Sequence, residues 1–130
     1  MKIYAMSDIH GCIGAFLSAL SLVDLEDKNN MLILCGDYIH GGCDSYRVVE
    51  KIIELKKKYK KRVVALMGNH EEDAIRTGLI VDDYSLNEEY DEKRDKKCLD
   101  FISNLDLYYN YNDEVVFCHA GVDEEAGEYW

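Results

Sequence analysis

The chain has 130 residues, 15 basic and 26 acidic, and a net charge of −11. That length fits one domain, residues 1–130, with a single core. The acidic balance argues against nucleic acid, whose phosphates need a basic footprint, and against anionic membrane surfaces.

Ile3-Tyr4-Ala5-Met6 reads as a first strand, running into Ser7-Asp8-Ile9-His10-Gly11. Ile13, Phe16, Leu17, Leu20 and Val23 then recur at helical spacing. A polar turn between Asp24 and Asn30 ends that helix. The apolar run Met31-Leu32-Ile33-Leu34-Cys35 reads as a buried strand, followed directly by Gly36-Asp37-Tyr38-Ile39-His40-Gly41-Gly42. Asp44 or Ser45 is expected to cap a second helix that buries Val48, Val49, Ile52, Ile53 and Leu55. Its lysine-rich end, Lys56 to Arg62, reads as a solvated terminus favoured by the helix dipole, ahead of a docking patch. Val63-Val64-Ala65-Leu66-Met67 forms a third strand leading into Gly68-Asn69-His70-Glu71. Alternating strands and helices predict an α/β fold with a parallel sheet and right-handed crossovers.

Glu71 to Thr77 can start a short helix, broken by Gly78. The charge-rich stretch from Asp82 to Asp100 reads as an exposed helical excursion, a simple solvated helix ahead of a lid over the site. Leu99, Phe101, Ile102 and Leu105 then return to the core. Tyr108 to Tyr111, a turn at Asn112-Asp113, and Val115 to Cys118 predict a hairpin. Its last strand is taken to bring His119-Ala120-Gly121 to the same sheet edge as the earlier loops. There is no proline, so turns rest on Gly, Asn and Asp. The five cysteines are scattered, with no C-x-x-C pair, which favours a reduced, cytoplasmic setting. No signal-peptide pattern or transmembrane-length apolar run is present, in line with that expectation.

Ligands gather outside the carboxyl ends of strands in open α/β sheets. That is where Asp8, His10, Asp37, Asn69, His70 and His119 fall. A pair of divalent ions about 3.5–4 Å apart needs a shared anion and separate ligands for each ion. Asp37 suits the bridge, Asp8 and His10 the first ion, and Asn69 and His119 the second. Mixed nitrogen and oxygen donors favour Mn, Fe, Zn or Co over Ca or Mg. His70, one position beyond a ligand, is placed to donate a proton.

These motifs resemble those of the calcineurin-like metallophosphoesterases, in particular bacterial serine/threonine protein phosphatases and symmetrical dinucleoside tetraphosphatases. The matching residues are Asp8-Ile9-His10-Gly11, Gly36-Asp37-Tyr38, Gly68-Asn69-His70-Glu71-Glu72 and Phe117-Cys118-His119-Ala120-Gly121. The resemblance implies an α/β sandwich and a hydrolase in which a metal-bound hydroxide attacks phosphorus in line. Asp8, His10 and Asp37 would hold the first metal, Asp37, Asn69 and His119 the second, and His70 would protonate the leaving alcohol.

The chain departs from the family's pattern in three places. The family's second motif has an Asp that orients the catalytic histidine and an Arg that grips phosphate; here those positions hold His40 and Gly41. The family continues beyond His119 into a second sheet with a further metal-binding histidine and an arginine, and this sequence ends at Trp130 first. The second sheet is therefore expected to be largely missing. Hydrolysis of phosphomonoesters, as in phosphoserine or phosphothreonine proteins, is the expected activity. The alternatives are an impaired metal- or phosphate-binding interaction module and a dinucleoside polyphosphate hydrolase. Three further expectations follow. His40 and His70 should meet at one site edge, with lowered proton affinity in at least one of them. The first metal site should be the tighter. An uncovered sheet face should drive self-association near Ile33, Val64, Val116, Tyr109 or Tyr111.

Overall fold

The computed structural model describes residues 1–83 and 85–121. The rest of the expected 1–130 domain, residues 84 and 122–130, lies outside the described residues. In chain order the elements are β1 (Ile3–Met6), α1 (Ile13–Leu20), β2 (Met31–Leu34), α2 (Ser45–Tyr59), a single 3₁₀ turn (Lys60–Arg62), β3 (Val63–Ala65), α3 (Asn69–Thr77), α4 (Glu92–Ile102), β4 (Tyr108–Tyr111) and β5 (Val115–Cys118). The fold is α/β, as the sequence predicts.

Strands β1, β2 and β3 form a parallel sheet in that order, with Ala5 opposite Ile33 and Ile33 opposite Val64. The pleat sends alternate side chains to opposite faces. Leu32, Leu34, Val63 and Ala65 share one face and join Phe16, Val48, Val49, Ile52 and Ile102 in the main core. Each of these side chains except that of Ala65 contributes about 1.5–3 kcal/mol on full burial. Ile33 points to the other face, yet it too is fully buried. It therefore does not lie on an open surface, which corrects the expectation for that residue. On that face Ala5 in β1 is exposed, and Val64 in β3 is half-buried.

The hairpin forms as expected, with Tyr108 opposite Cys118 and Tyr111 opposite Val115. Asn112 and Asp113 both have positive φ, 52° and 60°, which is the backbone of a type I′ turn and matches the strand twist. It stands as a separate two-stranded antiparallel sheet, so Val115 to Cys118 is not a fourth strand of the main one. A single parallel bridge, Leu66 to Asp106, ties the approach of β4 to the end of β3. That contact lays the hairpin beside the sheet edge. Val115 and Val116 on it are exposed, while Tyr109 and Tyr111 are half-buried.

The acidic excursion is not a solvated helix. Ile80 and Val81 are buried ahead of it, and α4 begins only at Glu92. The helix buries Asp95, Cys98 and Ile102. The cap of α2 also differs from expectation. Asp44 makes no side-chain cap bond; instead Glu88, far along the chain, accepts from the Ser45 and Tyr46 amides at 2.7 and 2.9 Å. The basic end of α2 is structural in part: Arg62 donates to the carbonyls of Leu25, Asp27 and Asn30 and pins the polar turn before β2. Among the described residues, no helix is long and apolar enough to cross a membrane.

Candidate metal centre

The loops leaving β1 and β2 turn sharply at the residues singled out above. Asp8, His10, Asp37 and His40 have φ of 55°, 50°, 59° and 69°. This left-handed region costs a residue with a Cβ on the order of 1 kcal/mol, and Asp and His tolerate it better than most. Backbone bonds hold the turns. The Asp8 amide donates to the Gly36 carbonyl at 2.9 Å, His10 to Asp37 at 3.0 Å and Gly11 to Tyr38 at 2.8 Å. The two loops thus go on pairing beyond the ends of their strands.

Asp37 is the hub. Its amide, and those of Tyr38 and Gly68, donate to the carboxylate of Glu71 at 2.6, 2.9 and 2.9 Å. Glu71 is wholly buried, and that burial holds its carboxyl above the usual range, against the lowering effect of the three amides. The Asp37 carboxylate accepts from the His70 amide at the start of α3, at 3.0 Å. Gly68 makes this approach possible, because a Cβ there would collide with the Asp37 backbone and carboxylate. The buried Tyr38 hydroxyl bonds to both Leu34 and Leu66 and ties the ends of β2 and β3 together.

Two imidazoles are oriented as ligands. His10 Nδ1 lies 3.1 Å from the Ile39 carbonyl, and His119 Nδ1 lies 2.8 Å from the Cys35 carbonyl. A carbonyl only accepts, so each Nδ1 carries the hydrogen and each Nε2 in the neutral ring presents a lone pair. Such a backbone partner is the usual support of a metal-binding histidine. His10 Nε2 lies 3.5 Å from Asp8 Oδ1 and 3.7 Å from Asp37 Oδ2, and His119 Nε2 lies 3.1 Å from Asp37 Oδ2. Ser7 donates to Asp8 at 2.6 Å and holds that carboxyl below its usual range.

Asn69 completes the cluster, its amide oxygen 2.9 Å from His119 Nε2. With the amide turned over, its NH2 would donate to Asp37 and His119. With the oxygen inward, lone pairs of Asn69, Asp37 and His119 converge with no hydrogen among them. A cation resolves that convergence, so the donor set fits a divalent metal. Two three-residue groups bring their ligand atoms within 4.8 Å of one another: His10, Asp37 and His70, and Asp8, Asp37 and His119. Asp37 is common to both, as expected of a bridge. Asp8 falls in the group with His119 while its Oδ1 also lies 3.5 Å from His10 Nε2, and His70 falls in the group with His10.

His40 is 1% exposed, and its Nδ1 lies 3.0 Å from His70 Nδ1. Burial lowers its proton affinity, with the neighbouring Asp82 opposing that shift. Both the meeting of the two rings and the direction of the shift agree with the sequence expectation. Sequence reasoning assigned no role to Glu71, which the first-turn position within Asn69-His70-Glu71 could have flagged. It also missed Asp95. One oxygen of that buried carboxylate accepts from the Ile80 and Val81 amides and from the Tyr46 hydroxyl.

The α/β architecture and its strand-edge acids are those of the metallophosphoesterase fold. The chain superposes on a protein serine/threonine phosphatase from Saccharomyces cerevisiae with a TM-score of 0.73, at 20% identity, over 96% of this chain and 39% of that one. A model of the calcineurin-like phosphoesterases matches residues 1–129, and the chain belongs to that family of metal-using hydrolases. It is 34% identical to the symmetrical bis(5'-nucleosyl)-tetraphosphatase of Buchnera aphidicola subsp. Acyrthosiphon pisum, over 96% of this chain and 46% of the relative. The corresponding enzyme of Wigglesworthia glossinidia brevipalpis is 38% identical over 55% of this chain and 25% of its own length. The chain thus spans less than half the length of these relatives.

Proposed function

We propose that this chain carries the metal-binding core of a phosphoesterase. Asp8, His10 and the shared Asp37 hold one divalent ion, Mn, Fe or Zn, and Asp37, Asn69 and His119 hold a second. The observation that carries the reading is the convergence of the His10 and His119 Nε2 atoms on one carboxylate, each ring anchored by a backbone carbonyl. Bound ions would supply Lewis acidity toward a phosphoryl oxygen and toward water. The chain itself fixes Asp37 through Glu71 and sets His70 at the edge of the cluster to give its proton to the departing oxygen.

The substrate reading we favour is a dinucleoside polyphosphate, in keeping with relatives above 30% identity that are named for that substrate. Hydrolysis of phosphomonoesters, phosphoproteins included, is a second reading with its own support in His70. An alcohol is a poor leaving group and gains most from a proton donor, whereas a nucleotide departs readily as its anion. The cleft beside Asn69 and His119, about 240 Å³, is walled by Met67, Leu107, Cys118 and Glu72, with no Lys or Arg in its lining among the described residues.

The test is a panel of diadenosine tetraphosphate, a phosphoserine peptide and p-nitrophenyl phosphate with added Mn. Faster cleavage of the dinucleotide supports the first reading, and preference for the peptide the second. Metal binding without turnover of any of them would leave the interaction-module alternative and overturn the hydrolase.

A further inference from the structure

His40 is held from both ends. Its Nδ1 faces His70, and its Nε2 lies 3.1 Å from the Ile80 carbonyl and 3.4 Å from Asp82 Oδ2. A carbonyl and a carboxylate are both acceptors, so the ring hydrogen of neutral His40 sits on Nε2. His40 Nδ1 is then an acceptor, and the hydrogen between the two rings belongs to His70 Nδ1. The remaining nitrogen of His70, Nε2, is left for the site. With the ring of His70 edge-on to His10 at 4.9 Å between centroids, its orientation is defined from two sides.

Of these partners of His40, Asp82 opens the segment that the sequence marks as a charged excursion, and Ile80 lies just ahead of it. That segment is itself fastened down. The Ile80 and Val81 amides donate to Asp95 at 3.0 and 3.2 Å, and the Leu86 amide donates to Gly42 at 3.2 Å. Asp95 is 3% exposed and also accepts from Tyr46, so the strap is anchored in the core rather than lying on the surface.

We propose that Asp82 is a positioning residue: together with the Ile80 carbonyl it holds the Nε2–H of His40, and so fixes His40 as the acceptor that orients His70. This rests on the reading of His70 as the proton donor. In that step the His70 Nε2–H passes to the leaving oxygen as the oxygen–phosphorus bond breaks. His70 keeps its Nδ1–H toward His40 and regains the other proton from water. Asp82 touches no reacting atom; it acts through His40.

Two measurements decide the matter. Long-range ¹⁵N–¹H spectra of the metal-free wild-type chain should show neutral His40 with its hydrogen on Nε2; a hydrogen on Nδ1 overturns the proposal. In Asp82→Asn the Ile80 carbonyl keeps the hydrogen on Nε2, but the His40 Nε2 shift should move as its charged neighbour is removed. The same variant should lose roughly ten-fold in kcat on phenyl phosphate, a fraction of the 10²–10⁴-fold that proton transfer typically supplies. The loss on p-nitrophenyl phosphate, whose leaving group needs little protonation, should be smaller, with KM unchanged for both. Asp83→Asn, a neighbouring exposed carboxylate, is the control. Equal losses on the two substrates, or an unmoved His40 Nε2 shift in Asp82→Asn, would sink the idea. A wild-type chain that turns over neither substrate defeats the proposed function instead, and the spectra still decide the placement of the hydrogen.

Discussion

The two halves of the candidate centre are built differently. Asp8, His10 and Asp37 sit on loops that continue the backbone pairing of the parallel sheet, His70 opens α3, and Glu71 binds three of the surrounding amides at once. His119 comes from a hairpin fastened by the bridge at Asp106, by its own bond to Cys35 and by the Tyr111 hydroxyl near Met1. An isolated two-stranded hairpin is marginal in water. The sheet-edge half is therefore set by the fold itself, while the hairpin half depends on a few contacts.

The severest break is Asp37→Asn, because both halves share that carboxylate. Mn titration by calorimetry should find neither site; one surviving tight site would show that Asp37 is not common to them. Glu71→Ala attacks the sheet-edge half first, through its hold on Asp37. Three buried amides lose their acceptor at about 1–3 kcal/mol each, against a total stability of roughly 5–15 kcal/mol for a typical domain. Urea denaturation should show a large fall in midpoint or no folded protein, with Glu71→Gln in between.

His119→Ala should do the reverse. One of two Mn sites is lost, the tighter one stays, and stability changes by less than about 1 kcal/mol, as is usual for a partly exposed residue outside the core. Loss of both sites would mean that the halves are not separable. Asn112→Ala acts further out, forcing alanine into φ of 52°. It should weaken the hairpin by about 1–2 kcal/mol, read as line broadening confined to Tyr108–Cys118.

The smallest effect is on pH. Burial depresses the proton affinity of His40 in the folded chain, so below its unfolded value the unfolded state binds more protons. Stability should therefore fall as pH falls from roughly 7 to 5.5, the range just around an ordinary histidine. Glu71, whose affinity is raised, contributes with the opposite sign, but it is present in both proteins when wild type is compared with His40→Gln. The slope should flatten in that variant.

The sheet was legible because Leu32-Ile33-Leu34 and its neighbours are apolar runs that end abruptly at Gly and Asp, and a strand end has few other readings. The candidate ligands stood out for the same reason, since each follows such a run closely. Glu88 and Asp95 were not. The partners of Glu88 lie 42 and 43 residues away in sequence, and those of Asp95 between 14 and 49. A carboxylate that caps a distant helix looks, in sequence, like any other acid in a charged stretch. His119 was assigned to the right cluster but to the wrong sheet, because hydrophobic pattern locates a strand without naming its partner. Ile33 illustrates a related limit: which face of a strand is covered depends on segments whose return path the pattern does not record.

The clamp formed by Glu71 also has a consequence for amide hydrogen exchange. The protected protons of Asp37, Tyr38 and Gly68 belong to two different loops but share one acceptor. Releasing any of them means withdrawing a buried carboxylate from the other two, so all three should exchange at one common rate set by a single cooperative opening. Hairpin amides such as that of Glu114, bonded only to Tyr111 across the turn, open without disturbing that clamp. The chain would then carry two clocks, a slow one at the hub of the candidate centre and a fast one beside His119.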